Sequence, residues 1–153
     1  MSDFRHQHCG YLNGVFNGIE KFKRTVDDAC YTVNELQYHF THIAVSGVSG
    51  MTVGSVIAYM LGKNLIVVRK PIEIVCEGND YDNDELDQLG YSHSHFLVEG
   101  CPIDQPFSYL VIDDFISRGT SYKRIKDSIL EVNKEAKCIG AFLYLYDEFR
   151  PEK

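Results

Sequence analysis

Asp113 and Asp114 stand side by side at the end of the apolar run Tyr109-Leu-Val-Ile112, and a small hydroxyl-rich turn, Ser117-Arg-Gly-Thr-Ser121, follows almost at once. Two adjacent carboxylates repel an anion, so they suit a polyhydroxyl sugar or a metal ion. The turn offers the opposite chemistry, because backbone N–H groups at a helix start, joined by hydroxyls, bind phosphate. The two halves together describe a sugar phosphate. Helix capping would be the plainer role for the acids, but they stand too far ahead of the helix to stabilise its first turn.

A second candidate is Ser46-Gly-Val-Ser-Gly50, after the short apolar run Ile43-Ala-Val45. Gly47 and Gly50 permit close backbone approach, and Ser46 and Ser49 add donors, so this turn also suits an anion. On its own it reads first as an ordinary strand-to-helix connection. Arg69 and Lys70 close the run Leu65-Ile-Val-Val68; they are either solvated charges at a strand exit or cations aimed at a phosphate. His93 and His95 would face one side of an extended segment, toward a metal, a phosphate or solvent. His6, His8 and Cys9 match no closed zinc spacing.

The elements that would position these groups alternate. Val26, Ala29, Cys30, Val33, Leu36 and Phe40 recur at helical spacing and predict an amphipathic helix over about 25–40. A strand at 43–45, a glycine-bracketed turn at 47–50, a helix at 51–61 ended by Gly62, and a strand at 65–68 follow. An acidic segment between about 73 and 92 is too long for a plain connection. A short strand at 95–98, a central strand at 109–112, a helix at 121–132 and a final strand at 138–146 complete the pattern. Such alternation predicts an α/β fold with a mostly parallel twisted sheet flanked by helices, and ligands at the carboxyl ends of its strands. The stretch from Cys9 to Phe22 mixes aromatics with glycines and reads as either a hairpin or a packing arm.

A chain of 153 residues fits one domain over 1–153. Its net charge of -7 opposes general nucleic-acid binding, and no apolar run approaches the roughly 20 residues that span a bilayer. The N-terminus lacks a signal peptide's apolar segment, so a cytoplasmic location is expected. Five scattered cysteines without a CxxC pair read as reduced thiols.

From about residue 41 to 143 the chain resembles the type I phosphoribosyltransferases. In that family a hydrophobic strand, two acids, two hydrophobics and a small Thr/Gly/Ser turn bind 5-phosphoribosyl pyrophosphate (PRPP). The resemblance implies that the acid pair, Asp113 and Asp114, is catalytic and holds the ribose hydroxyls. Ser117, Arg118, Gly119, Thr120 and Ser121 would hold the 5′-phosphate. Ser46, Gly47, Val48, Ser49 and Gly50, with Arg69 and Lys70, would hold the pyrophosphate. A mobile loop would include His93 and His95, and residues 1–25 would form a small hood. It implies Mg2+ as cofactor, met by Asp113 and Asp114 indirectly through ribose and pyrophosphate.

The expected activity is transfer of 5-phosphoribose from PRPP to a nitrogenous base with release of pyrophosphate, in nucleotide synthesis or salvage. PRPP and a base are the expected substrates and a homodimer the expected assembly, with neither nucleic acid nor membrane as partner. A PRPP-binding regulator without turnover is the alternative. Phe115 and Arg118 depart from the signature, where a smaller aliphatic and a threonine are usual. Ser117 stands where 6-oxopurine enzymes carry an acid, which weighs against hypoxanthine and guanine. Tyr91 to Gly100 resembles the end of the loop in orotate phosphoribosyltransferases, which slightly favours orotate and leaves adenine and other acceptors open.

Overall fold

The computed structural model describes residues 10–69 and 97–153; Lys70, the 73–92 segment, His93 and His95 lie outside the described residues, as do His6, His8, Cys9 and Cys76. The described chain begins with a four-residue helix α1 (Asn13–Phe16) and the longer α2 (Ile19–Asn34). Strand β1 (His42–Ser46), helix α3 (Gly47–Leu61) and strand β2 (Asn64–Arg69) follow. After them come β3 (Leu97–Glu99), β4 (Phe107–Asp113), helix α4 (Thr120–Val132), β5 (Ala136–Leu143) and β6 (Glu148–Pro151).

The strands form one sheet in the order β3-β2-β1-β4-β5-β6. The inner four are parallel, while β3 and β6 pair antiparallel at the edges. The expected mostly parallel α/β fold is therefore the observed one. Strict alternation along β1 explains why the sheet needs helices on both faces. Ile43 and Val45 join Leu110, Ile112 and Phe142 in a core covered by α2 and α3. Ala44 joins Ile66, Val68, Val111 and Leu143 in a second core covered by Ile125 and Ile129 of α4. Ile43, Ala44 and Val45 are wholly buried.

Several boundaries differ from the sequence expectation. Helix α2 starts at Ile19 and stops at Asn34, short of Phe40. Phe40 is buried all the same, from the loop before β1, where the Lys63 ammonium lies 4.4 Å from its ring centroid and donates to its carbonyl. Residues 47–50 are not a separate turn but the first turn of α3. The N-terminal stretch contains a short helix rather than a hairpin. The last predicted strand stops at Leu143 rather than Tyr146, because the chain turns there and returns as β6, a strand the sequence reading lacked, with Phe142 opposite Phe149.

Candidate functional site

The strand order reverses direction between β1 and β4: β1 leads through α3 to β2 on one side, and β4 leads through α4 to β5 on the other. The two connections diverge from neighbouring strand ends and leave a crevice between them. The pairing of Ala44 with Val111, continued by two residues, brings Ser46 level with Asp113. Both candidate turns thus meet at one place. There a cavity of about 380 Å³ is lined by Asp113, Asp114, all of Ser117 to Ser121, Ser46, Gly47 and Ser49, together with Tyr11, Phe115, Ile116 and Tyr122.

The turns are built for tight reversal into a helix. Gly47 at φ 71° and Gly119 at φ 75° occupy the left-handed region, which L side chains enter only with strain. Neither α3 nor α4 has an acidic residue in its first turn or a side-chain cap hydrogen bond. Their leading N–H groups, at the positive ends of the helix dipoles, remain available to an anion. Arg118 is exposed on the cavity wall and has no ion-pair partner among the described residues. The first turn of α4 is held from behind, where the Tyr122 hydroxyl donates to Glu152, which also pairs with Lys126 at 2.6 Å.

The acids differ in environment. Asp114 is only 5% exposed, and Asp113 is half-buried. Asp113 Oδ1 accepts the Asp114 N–H at 2.9 Å, and Asp114 Oδ1 accepts the Phe115 N–H at 2.8 Å. Asp114 Oδ2 accepts the Tyr11 hydroxyl at 3.0 Å. Backbone bonds from Tyr144 to the Asp113 carbonyl and from Leu145 to the Asp114 carbonyl extend the β4–β5 pairing past the strand end. The carboxylates are consequently fixed in direction rather than free to swing.

The remaining predicted residues are arranged differently. The Ser46 hydroxyl donates to the Val68 carbonyl at 2.8 Å, tying β1 to β2, so its proton is already engaged. Val48 is 74% exposed and, like Gly50, is not among the cavity-lining residues. Gly50 is buried against β4, and a Cβ there would lie 3.2 Å from the Ile112 carbonyl oxygen and 3.6 Å from Asp113 Oδ1. Its smallness lets α3 approach the acid-bearing strand. Arg69 ends β2 with its guanidinium 3.5 Å from Glu99 Oε2 on β3.

Two tyrosines at the site carried no signal in the sequence. Tyr144, just past β5, donates its hydroxyl to the Ser49 carbonyl at 2.9 Å and so ties the first turn of α3 to the far side of the acids. Burial foremost, then the charges of Asp114 and Asp113, push its ionisation far above the usual phenol range, so it stays a donor. Tyr11 reaches Asp114 from 103 positions away and packs edge-on against Phe115, with ring centroids 6.3 Å apart.

No protein-family model matches the chain. A curated adenine phosphoribosyltransferase from Pseudomonas aeruginosa is 28% identical over 112 residues, covering 71% of this chain and 56% of the relative. The chain therefore spans about half the length of that relative. Another, from Mycoplasma mycoides, is 24% identical and covers the whole chain and 92% of its own length. Among solved structures, the Saccharomyces cerevisiae adenine phosphoribosyltransferase, complexed with an imino-altritol bisphosphate and adenine, superposes with a TM-score of 0.63. It is 17% identical, with 89% of this chain and 79% of that one covered. The fold is that of the type I phosphoribosyltransferases, and the chain resembles them in sequence as well.

Proposed function

We propose that this chain, folded as a type I phosphoribosyltransferase, transfers the 5-phosphoribosyl group of PRPP to a nitrogen of adenine, releases pyrophosphate, and thereby serves nucleotide salvage. The observation that carries the reading is the single cavity in which a carboxylate pair faces two uncapped helix starts. Adenine is preferred as acceptor because the curated relatives described above bear that name. A cytoplasmic homodimer is part of the same proposal.

In this reading the turn from Ser117 to Ser121 takes the 5′-phosphate on its N–H groups and hydroxyls, with Arg118 adding a cation. Asp113 and Asp114 accept the ribose hydroxyls. The first turn of α3, from Gly47 onward, faces the pyrophosphate, with Arg69 and Lys70 as the further candidates. As the bond from the anomeric carbon to pyrophosphate lengthens, positive charge develops on the ribose. Two fixed carboxylates beneath it are stabilising at that moment and need no reorganisation. The protein contributes position and field, and forms no covalent bond to the sugar.

The donor set is compatible with Mg2+. Among the described residues no group of three or more His, Cys, Asp or Glu side chains forms a metal cage. Magnesium bound with a phosphorylated substrate needs only one or two carboxylates, the rest of its shell being water and phosphate oxygens. Asp113 and Asp114 would hold it through the ribose and pyrophosphate oxygens, and it would neutralise charge on the departing pyrophosphate.

The test is pyrophosphate release from PRPP and Mg2+ with adenine, hypoxanthine, guanine and orotate in turn. Release with adenine, and far less with the others, is expected. Calorimetric PRPP binding with no release for any base would replace the enzyme with a PRPP-binding regulator, and absence of PRPP binding would remove both.

A further inference from the structure

We propose that Tyr11 gates the acid pair: its hydroxyl occupies the seat of a ribose hydroxyl on Asp114 and is exchanged for it when PRPP binds. The inference rests on the PRPP reading of the cavity. It concerns a residue outside both binding turns.

The geometry of Asp114 carries the argument. Its Oδ1 is committed to the Phe115 N–H of its own loop, a bond that any bound state can retain. The remaining oxygen, Oδ2, is the one that Tyr11 holds at 3.0 Å, from within the same cavity. A phenol hydroxyl donating to this oxygen is chemically the same contact that a sugar hydroxyl would make. A carboxylate only 5% exposed would be left short of partners in the empty protein, and Tyr11 relieves that deficit.

The rest of Tyr11 is suited to leaving. It is 54% exposed, and its ring meets the partly exposed Phe115 edge-on. It precedes the four-residue α1 and sits between Gly10 and Gly14, with Gly18 at φ 118° before α2. Exchange of one hydroxyl for another on the same oxygen is close to balanced in hydrogen bonds. Among what Tyr11 gives up to PRPP are its packing against Phe115 and its ordered donor on Asp114. A residue that merely oriented Asp114 would instead stay in place and assist the ligand.

The experiment is calorimetric titration of the wild type and Tyr11→Phe, each with PRPP plus Mg2+ and with inorganic phosphate alone. Removing the competing hydroxyl should tighten PRPP binding by about three- to tenfold, the range of one ordinary hydrogen bond. Inorganic phosphate, which has no ribose hydroxyl, should bind both proteins equally. Equal or weaker PRPP binding by Tyr11→Phe overturns the gate while leaving the site reading intact. A wild type that binds no PRPP overturns both. Should the variant fail to fold, the ring carbon resonances of Tyr11 in the isotope-labelled wild type decide the matter. They should move with saturating PRPP and stay put with phosphate, and an unmoved Tyr11 in the PRPP complex contradicts the exchange.

Discussion

Replacing Asp114 by asparagine isolates the charge of the buried acid from its shape. In the protein as it stands, Oδ1 accepts the Phe115 N–H at 2.8 Å and Oδ2 accepts the Tyr11 hydroxyl at 3.0 Å. An asparagine can keep its carbonyl oxygen on the Phe115 N–H and turn its amide toward Tyr11, whose oxygen also accepts. The fold should therefore lose no more than about 1 kcal/mol. A ribose hydroxyl, by contrast, loses a charged acceptor worth about 1.5–3 kcal/mol, equivalent to roughly ten- to hundredfold. The developing positive charge on the sugar loses its counter-charge as well, so kcat/KM should fall further than PRPP affinity. Pyrophosphate release at varied PRPP, with a thermal melt beside it, measures both quantities. With Asp113→Asn added, turnover should become undetectable. A folded Asp114→Asn protein with wild-type kcat/KM would refute the assignment, since no screening argument excuses a carboxylate this enclosed.

Arg118→Ala should weaken PRPP binding by about tenfold and flatten its salt dependence, read by titration at low and high ionic strength, because an exposed guanidinium at the cavity acts largely through screened charge. Gly54→Ala should destabilise the fold by about 1–3 kcal/mol in a denaturant melt, since the added Cβ would lie 2.4 Å from Val45 Cγ1 in the packed α3–β1 contact. His42 supplies a pH test. It is buried beside the Phe107 ring, with the Thr41 hydroxyl 2.7 Å from Nδ1, and burial lowers its pKa below the ordinary 6.5. The unfolded chain then binds the proton first, so stability is full above about pH 6.5 and falls as pH drops from there toward the folded value. Urea midpoints at pH 7.5 and 5.5 should differ less in His42→Gln than in the wild type.

The parts legible in the sequence were those written in contiguous residues. An apolar run ending in two acids must be an inner strand that delivers them to its carboxyl end, and β4 does so, with Leu110, Val111 and Ile112 buried and Asp113 emerging at its end. The glycine-bearing strand-to-helix junctions were legible for the same reason, although residues 47–50 form the first turn of α3 rather than the separate turn expected. Burial pattern alone misled at Phe40, because its spacing from Leu36 records that the side chain is inside, not that the backbone between them is helical. Tyr11 and Tyr144 were illegible. Each acts across the fold, one on Asp114 and the other on the Ser49 carbonyl, and no local period marks such a contact. Ser46 showed a further limit: a hydroxyl in a phosphate-like turn was spent on the neighbouring strand, which only the β1–β2 register reveals.

The central claim is that one cavity holds one PRPP, with its sugar on the acids and its 5′-phosphate on the turn that opens α4. A crystal structure of the protein with PRPP and Mg2+ tests it most directly. The account predicts ribose hydroxyls within hydrogen-bond distance of Asp113 and Asp114, and the 5′-phosphate on the N–H groups of Ser117 to Ser121. PRPP bound elsewhere, or bound with its phosphate on the α3 turn and its ribose clear of both carboxylates, would contradict it.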